Sequence, residues 1–126
     1  MTREDLEERS AAFGREVFAL SALVRPREGG RRPADQLLDC ATSVGANYRA
    51  SGRARSRAEF IAKLGLVVEE VDEAVYWLEF IAGTSLAAGP LVDRLYQEAT
   101  ELRAIFAAAY RTARNRHRAS AATRSK

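Results

Sequence analysis

Apolar residues recur along this chain at alternating steps of three and four, in four separate stretches. The first is Phe13, Val17, Leu20 and Val24, with Phe18 widening it. The second is Leu37, Ala41, Val44 and Tyr48, with Leu38 and Gly45 alongside. The third is longer: Phe60, Leu64, Val67, Val71, Ala74, Leu78 and Ile81. The fourth, Val92, Leu95, Ala99, Leu102, Phe106, Ala109 and Ala113, is equally regular. Such spacing puts every residue of a stretch on one side of an α-helix. Sustained over about three heptads, it makes a bundle seam. No period-two alternation is long enough for a strand. The pattern predicts helices over approximately residues 2–24, 33–51, 56–82 and 90–115.

The residues between these stretches act as start and stop signals. Thr2 with Asp5, and Ser56 with Glu59, have capping-box spacing ahead of helical runs. Pro33 and Pro90 suit a first helical turn, whereas Pro26, Gly29, Gly30, Gly52 and Gly83 interrupt or end helices. Ala41, Gly45 and Ala46 are small, which lets the second helix lie against a neighbour's backbone. Four amphipathic segments on short links predict an all-α, up-down-up-down four-helix bundle in one domain, residues 1–115. A chain of 126 residues buries a core of its own. From about Arg116 the sequence turns basic and rich in Ser and Ala, so residues 116–126 are expected to be a disordered tail.

The third helix carries more apolar surface than one core requires. Leu66, Trp77 and Phe80 lie roughly 100° or more away from its seam. Large apolar residues outside a core mark interaction surfaces, and Trp and Phe are frequent anchors there. This face is expected to hold a second copy or another protein, the alternative being a skewed bundle that buries both faces within one subunit.

Charge is unevenly spread. The net charge is +3, yet Arg111 to Lys126 holds five Arg, one Lys and no acid, so the rest is negative. Basic residues also gather at Arg25, Arg27, Arg31 and Arg32, and again at Arg49, Arg53, Arg55 and Arg57. Acids gather at Glu4 to Glu8 and Glu69 to Glu73. Basic loops and a basic tail suit nucleic acid or an acidic protein, or simply a solvated surface. Cys40 is the only cysteine, which rules out an internal disulfide, and burial as a small hydrophobe is its expected state. The acidic start lacks a signal-peptide core, and no stretch approaches the ~20 apolar residues of a membrane span. A cytoplasmic location away from membranes follows.

Catalytic chemistry finds few residues to work with. The only histidine, His117, falls in the basic tail, away from Glu69, Glu70, Asp72 and Glu73. A di-metal bundle needs inward Glu-x-x-His pairs, and Cys40 has no candidate base. Gly29-Gly30 lacks the spacing of a phosphate loop. No enzyme, metal or cofactor is expected.

The run Gln36-Leu37-Leu38-Asp39 through Ser43-Val44-Gly45-Ala46-Asn47-Tyr48-Arg49-Ala50 resembles the second helix of the four helix bundle proteins. These are also called 23S rRNA intervening-sequence proteins, or the S23 ribosomal protein family. Ser56-Arg57-Ala58-Glu59-Phe60-Ile61-Ala62-Lys63-Leu64 is similar to their third-helix start, and Tyr76-Trp77-Leu78-Glu79 to one branch of the family. The likeness spans roughly residues 5 to 113. Where many members have Asn-Ile-Ala-Glu-Gly, this chain has Asn47-Tyr48-Arg49-Ala50-Ser51, so nothing tied to that acid carries over. The resemblance implies a left-handed bundle, a homopentamer, a bacterial source and a link to RNA or to nucleic-acid-bound accessory roles. It brings no catalytic residues.

Two uses of the arginines follow. In one, Arg49, Arg53, Arg55 and Arg57 of an oligomer contact RNA phosphates, with no reading of sequence. In the other, the protein is an interaction scaffold without a nucleic-acid role, and the arginines pair with acids such as Glu69 and Glu73 of a neighbouring subunit.

Overall fold

The computed structural model describes residues 1–124. Four helices account for it: α1 Arg3–Val24, α2 Arg31–Ser51, α3 Arg57–Gly83 and α4 Pro90–Arg124. No strand occurs among the described residues. Each helix packs on the next in the chain, and α1 closes more thinly onto α4; the backbones of the diagonal pairs stay apart. Bonds between neighbours show the antiparallel course. The Ser21 hydroxyl donates to the Ala34 carbonyl at 3.2 Å. At the other end of the same pair Arg3 donates to the Tyr48 carbonyl at 2.7 Å and to Ser51 Oγ at 2.8 Å. Between α3 and α4, Asp72 meets Arg103 at 2.8 Å and Glu79 meets the Tyr96 hydroxyl at 3.3 Å.

The seams are the four predicted stripes. Phe13, Val17, Leu20, Val24, Leu37, Ala41, Val44, Leu64, Val67, Val71, Leu78, Ile81, Leu95, Leu102 and Phe106 are all buried. Phe106 fills the centre, its ring 5.0 Å from that of Tyr48. Three stripe residues depart from expectation. Phe18 is 64% exposed and widens nothing in the core. Ala109 is exposed and Phe60 half-buried; both line an open pocket between α3 and α4.

The starts follow the capping signals. Thr2 and Asp5 form the full reciprocal box, at 2.9 and 3.1 Å. Ser56 Oγ accepts from the Glu59 amide at 3.0 Å. The second helix begins at Arg31, two residues before Pro33. Proline is harmless there, since the first four amides of a helix have no intrahelical acceptor. The small residues of α2 work as expected: an atom added at Gly45 would touch the Ala11 Cα at 3.5 Å.

The largest departure is at the other end of the chain. Residues 116 to 124 were expected to be a disordered tail, and they continue α4 as helix to Arg124. Arg and Ala are among the strongest helix formers, no Gly or Pro interrupts them, and Ala113 and His117 still pack on the bundle. Ser125 and Lys126, the last two residues of that expected tail, lie outside the described residues.

Candidate nucleic-acid and subunit interfaces

The α2–α3 corner and the end of α4 meet at one end of the bundle. Arg53 and Arg55 sit exposed on the connection between α2 and α3, Arg55 3.6 Å from Glu59. The structure does not hold the four arginines of this region as one cluster. Arg49, in the last turn of α2, lines a groove between α1 and α2 together with Arg15 and Asp39. Arg57 faces the other way, toward α4.

There the antiparallel register brings in residues that periodicity did not single out. Ser56, Arg57 and Ala58 from α3, with Arg116, His117, Ser120 and Arg124 from α4, line one pocket of about 440 Å³. Arg57 and Arg116 also wall an adjoining apolar pocket of about 430 Å³, with Phe60, Leu64 and Ala113. The missed signal was the pairing of seams. Running α3 against α4 head to tail puts the Ser56 cap beside the basic tail.

Other arginines are tied up within the fold. Arg9 meets Glu98 at 2.6 Å and Glu101 at 3.3 Å, and Arg94 meets Glu16 at 2.7 Å, which joins α1 to α4. The bidentate bond to Glu98 is the main cause that raises Arg9's pKa further. Arg25 bonds Asp35 at 2.9 Å, and Arg27 donates to the Leu86 carbonyl at 3.0 Å. Arg49, Arg53, Arg57, Arg116 and Arg124 take part in no ion pair among the described residues.

Of the apolar face expected on α3, Leu66 is 42% and Phe80 38% exposed, while Trp77 is partly covered. Sequence reasoning missed Tyr76, which is 55% exposed. It completes an aromatic cluster, with ring centroids 5.0 Å from Trp77 and 6.4 Å from Phe80. Trp77 lies edge-on to Phe80 at 5.5 Å. Its indole N–H is buried without a hydrogen-bond partner. A second apolar surface is the groove between α1 and α2, where Phe18 stands beside Gly14, Leu38, Gly45 and Ala46. Leu23, 64% exposed, lies one and a half turns further along α1.

Cys40 is buried, as expected of a lone cysteine, but it has company. Its thiol donates to Glu73 Oε2 at 3.0 Å. Burial, then the neighbouring Glu73, push the thiol's pKa far up. Burial also raises Glu70, with Glu73 adding to the effect. One ligand atom from each of Cys40, Glu70 and Glu73 lies within 4.8 Å of the others. The buried thiol is held protonated, which is not the form that attacks or ligates. Among the described residues, no helix is long and apolar enough to cross a membrane.

Comparison with known proteins bears on this architecture. The family model described as 23S rRNA-intervening sequence protein matches residues 5–108. A solved protein of unknown function from the S23 ribosomal protein family of Bacteroides thetaiotaomicron VPI-5482 superposes with a TM-score of 0.81. It is 26% identical, over 88% of this chain and 99% of that one. No curated protein matches the chain in sequence.

Proposed function

The chain belongs to the 23S rRNA-intervening sequence protein family, and on that premise we propose that it is a non-enzymatic, cytoplasmic homo-oligomer that associates with RNA. The observation that carries this reading is the arginine-rich end of the bundle. Arg57, Arg116 and Arg124 converge there, and Arg53 stands exposed on the neighbouring connection, all without an ion-pair partner among the described residues. Unneutralised guanidinium groups bind phosphate by replacing its counterions, which gives affinity without sequence preference.

Self-association is supported by two unlike apolar surfaces. The aromatic cluster lies on α3 and the Phe18 groove on α1 and α2, and α1 and α3 are diagonal in the bundle. Contact between two unlike patches is heterologous, and repeated contacts of that kind close into a ring where the rotation per subunit divides a full turn. A homopentamer, the assembly implied by the family resemblance, is such a ring. Light scattering on the purified protein tests the assembly. RNA retention measured as salt is raised tests the partner: affinity should fall steeply, and binding indifferent to salt would contradict phosphate contact.

A second reading is a protein-interaction scaffold with no nucleic-acid role, favoured by the exposed Tyr76 and Phe80. Replacing Arg53, Arg55 and Arg57 together with Glu separates the two. Loss of RNA retention by an intact oligomer supports the first. Collapse of the oligomer makes the arginines structural and supports the second.

A further inference from the structure

We propose that the pocket between the first turn of α3 and the last turns of α4 is a phosphate subsite that takes a phosphodiester group of an RNA strand. The proposal rests on the RNA reading above and places its contact at named residues. Three arginines, Arg57, Arg116 and Arg124, line one concavity with His117, Ser120 and the capping residue Ser56. No carboxylate lines it. Elsewhere on the bundle arginines are matched with acids: Arg9 with Glu98, Arg94 with Glu16, Arg103 with Asp72. Like charges gathered around one hollow repel one another, and an anion seated among them relieves that repulsion. Planar guanidinium forks fit phosphate oxygens two at a time, and Ser120 adds a neutral donor.

The pocket's size and its neighbour favour a diester over a free ion. About 440 Å³ is within the range of small-molecule sites and larger than one phosphate needs. Arg57 and Arg116 also wall the adjoining apolar pocket with Phe60 and Leu64. A phosphate held between these two arginines therefore has an apolar surface beside it, where the attached nucleoside lies. Phe60 is the one aromatic side chain lining that apolar pocket, with no second ring opposite it there to sandwich a base, so the subsite holds the backbone and leaves sequence unread.

The test uses the full-length protein and a short fluorescein-labelled oligouridylate, followed by anisotropy between about 50 and 200 mM salt. Arg57→Gln, Arg116→Gln and Arg124→Gln are combined in one variant. Arg15→Gln, Arg94→Gln and Arg103→Gln, at arginines already paired with acids, make a control with the same loss of charge elsewhere. The pocket variant should lose at least tenfold in affinity at low salt. Its slope of log affinity against log salt should be shallower by about 0.7, the share of one phosphate on a single strand. The control should stay within about twofold of wild type, because its arginines are not expected to touch phosphate. Equal losses in the two variants would overturn the subsite and leave the RNA reading standing, whereas a wild type that fails to bind at low salt would sink both. Arg124→Gln alone, at the end of α4 where folding is insensitive, should lower affinity at low salt and change the slope by no more than the triple variant does. Titration with inorganic phosphate settles the source. If the pocket variant loses inorganic phosphate binding but keeps wild-type affinity for the oligouridylate, the site belongs to the free ion and the proposal fails.

Discussion

Replacing Tyr76 and Phe80 together with Gln tests the subunit surface on α3. Both side chains stand on the outer face of the helix, 55% and 38% exposed. At roughly 200 Å² per aromatic side chain, those shares leave about 190 Å² of ring surface in water in an isolated chain. Covering it is worth about 4–5 kcal/mol at ~25 cal/mol per Å², an upper figure because the Tyr76 hydroxyl also loses water. Removing both rings should therefore weaken each subunit contact by about three powers of ten, at 1.4 kcal/mol per tenfold. Gln is a good helix former, so the backbone of α3 has no reason to change. The internal cost is the loss of ring contacts to Trp77 at 5.0 and 5.5 Å, about 0.5–1.5 kcal/mol each. Light scattering over a range of protein concentrations reads the mass, and circular dichroism checks that the variant stays helical. The expected result is an associated wild type and a helical, monomeric variant. A variant that keeps the wild-type mass down to the lowest concentration would refute the reasoning, because association would then not depend on these two rings.

Gly30→Ala should cost about 2–4 kcal/mol: an added Cβ would overlap the Val24 carbonyl oxygen, and displacing the turn breaks bonds of 3.0 and 2.8 Å worth about 1 kcal/mol each, beyond the steric cost. For 126 residues, at ~2.1 cal/mol/K per residue, this lowers Tm by roughly 8–15 °C, read by thermal circular dichroism at fixed concentration; a change under about 2 °C contradicts the overlap. Glu70→Gln should raise Tm at neutral pH. Glu70's folded pKa is raised by burial and Glu73, so its contribution to stability is full below the ordinary carboxylate range and is lost as pH rises through the folded value; the gain should shrink on acidification, and a gain independent of pH would contradict it. Cys40 should react with iodoacetamide at mildly alkaline pH far more slowly in the native protein than in urea, since its buried thiol is held protonated beside Glu73; equal rates in the two states would show that the thiol is accessible.

The fold was legible because its information is local. Each seam repeats with helical period, each start carries its own cap, and Gly and Pro occupy the breaks. One such start shows how literal the signal is: Thr2 and Asp5 exchange the two bonds that their spacing predicts. The errors fall where a residue's fate is set by a neighbouring helix. Phe18 is as apolar as Val17 and follows it directly, yet Val17 is fully buried and Phe18 faces out over the α1–α2 groove. Periodicity gave the face of the core and could not show that α2 leaves this flank open. The end of α4 is a similar case. Its composition, polar and basic, fits a solvated tail or an exposed helix equally well, and only the neighbouring first turn of α3 distinguishes them.

The same reasoning explains why the candidate site was half legible. Arg49, Arg53, Arg55 and Arg57 are neighbours in sequence, and nearness in sequence suggested one cluster. A helix end and a turn separate them: Arg49 leaves α2 on the α1 side, and Arg57 enters α3 on the α4 side. The residues that do converge, Arg57 with Arg116 and Arg124, are about sixty positions apart and meet because α3 and α4 run antiparallel from a shared loop. The register is itself visible in the sequence once the seams are paired. Asp72 with Arg103 and Glu79 with Tyr96 are opposite one another, and continuing that register toward the start of α3 brings Arg57 beside the residues around Arg118. Long-range convergence is thus an arithmetic consequence of two stripes and one loop. It follows that lengthening or shortening the 84–89 loop should move both fold and site little, because the register is set by the buried stripes, whereas shifting the α4 stripe by one residue would rotate Arg116 and Arg124 out of the pocket together.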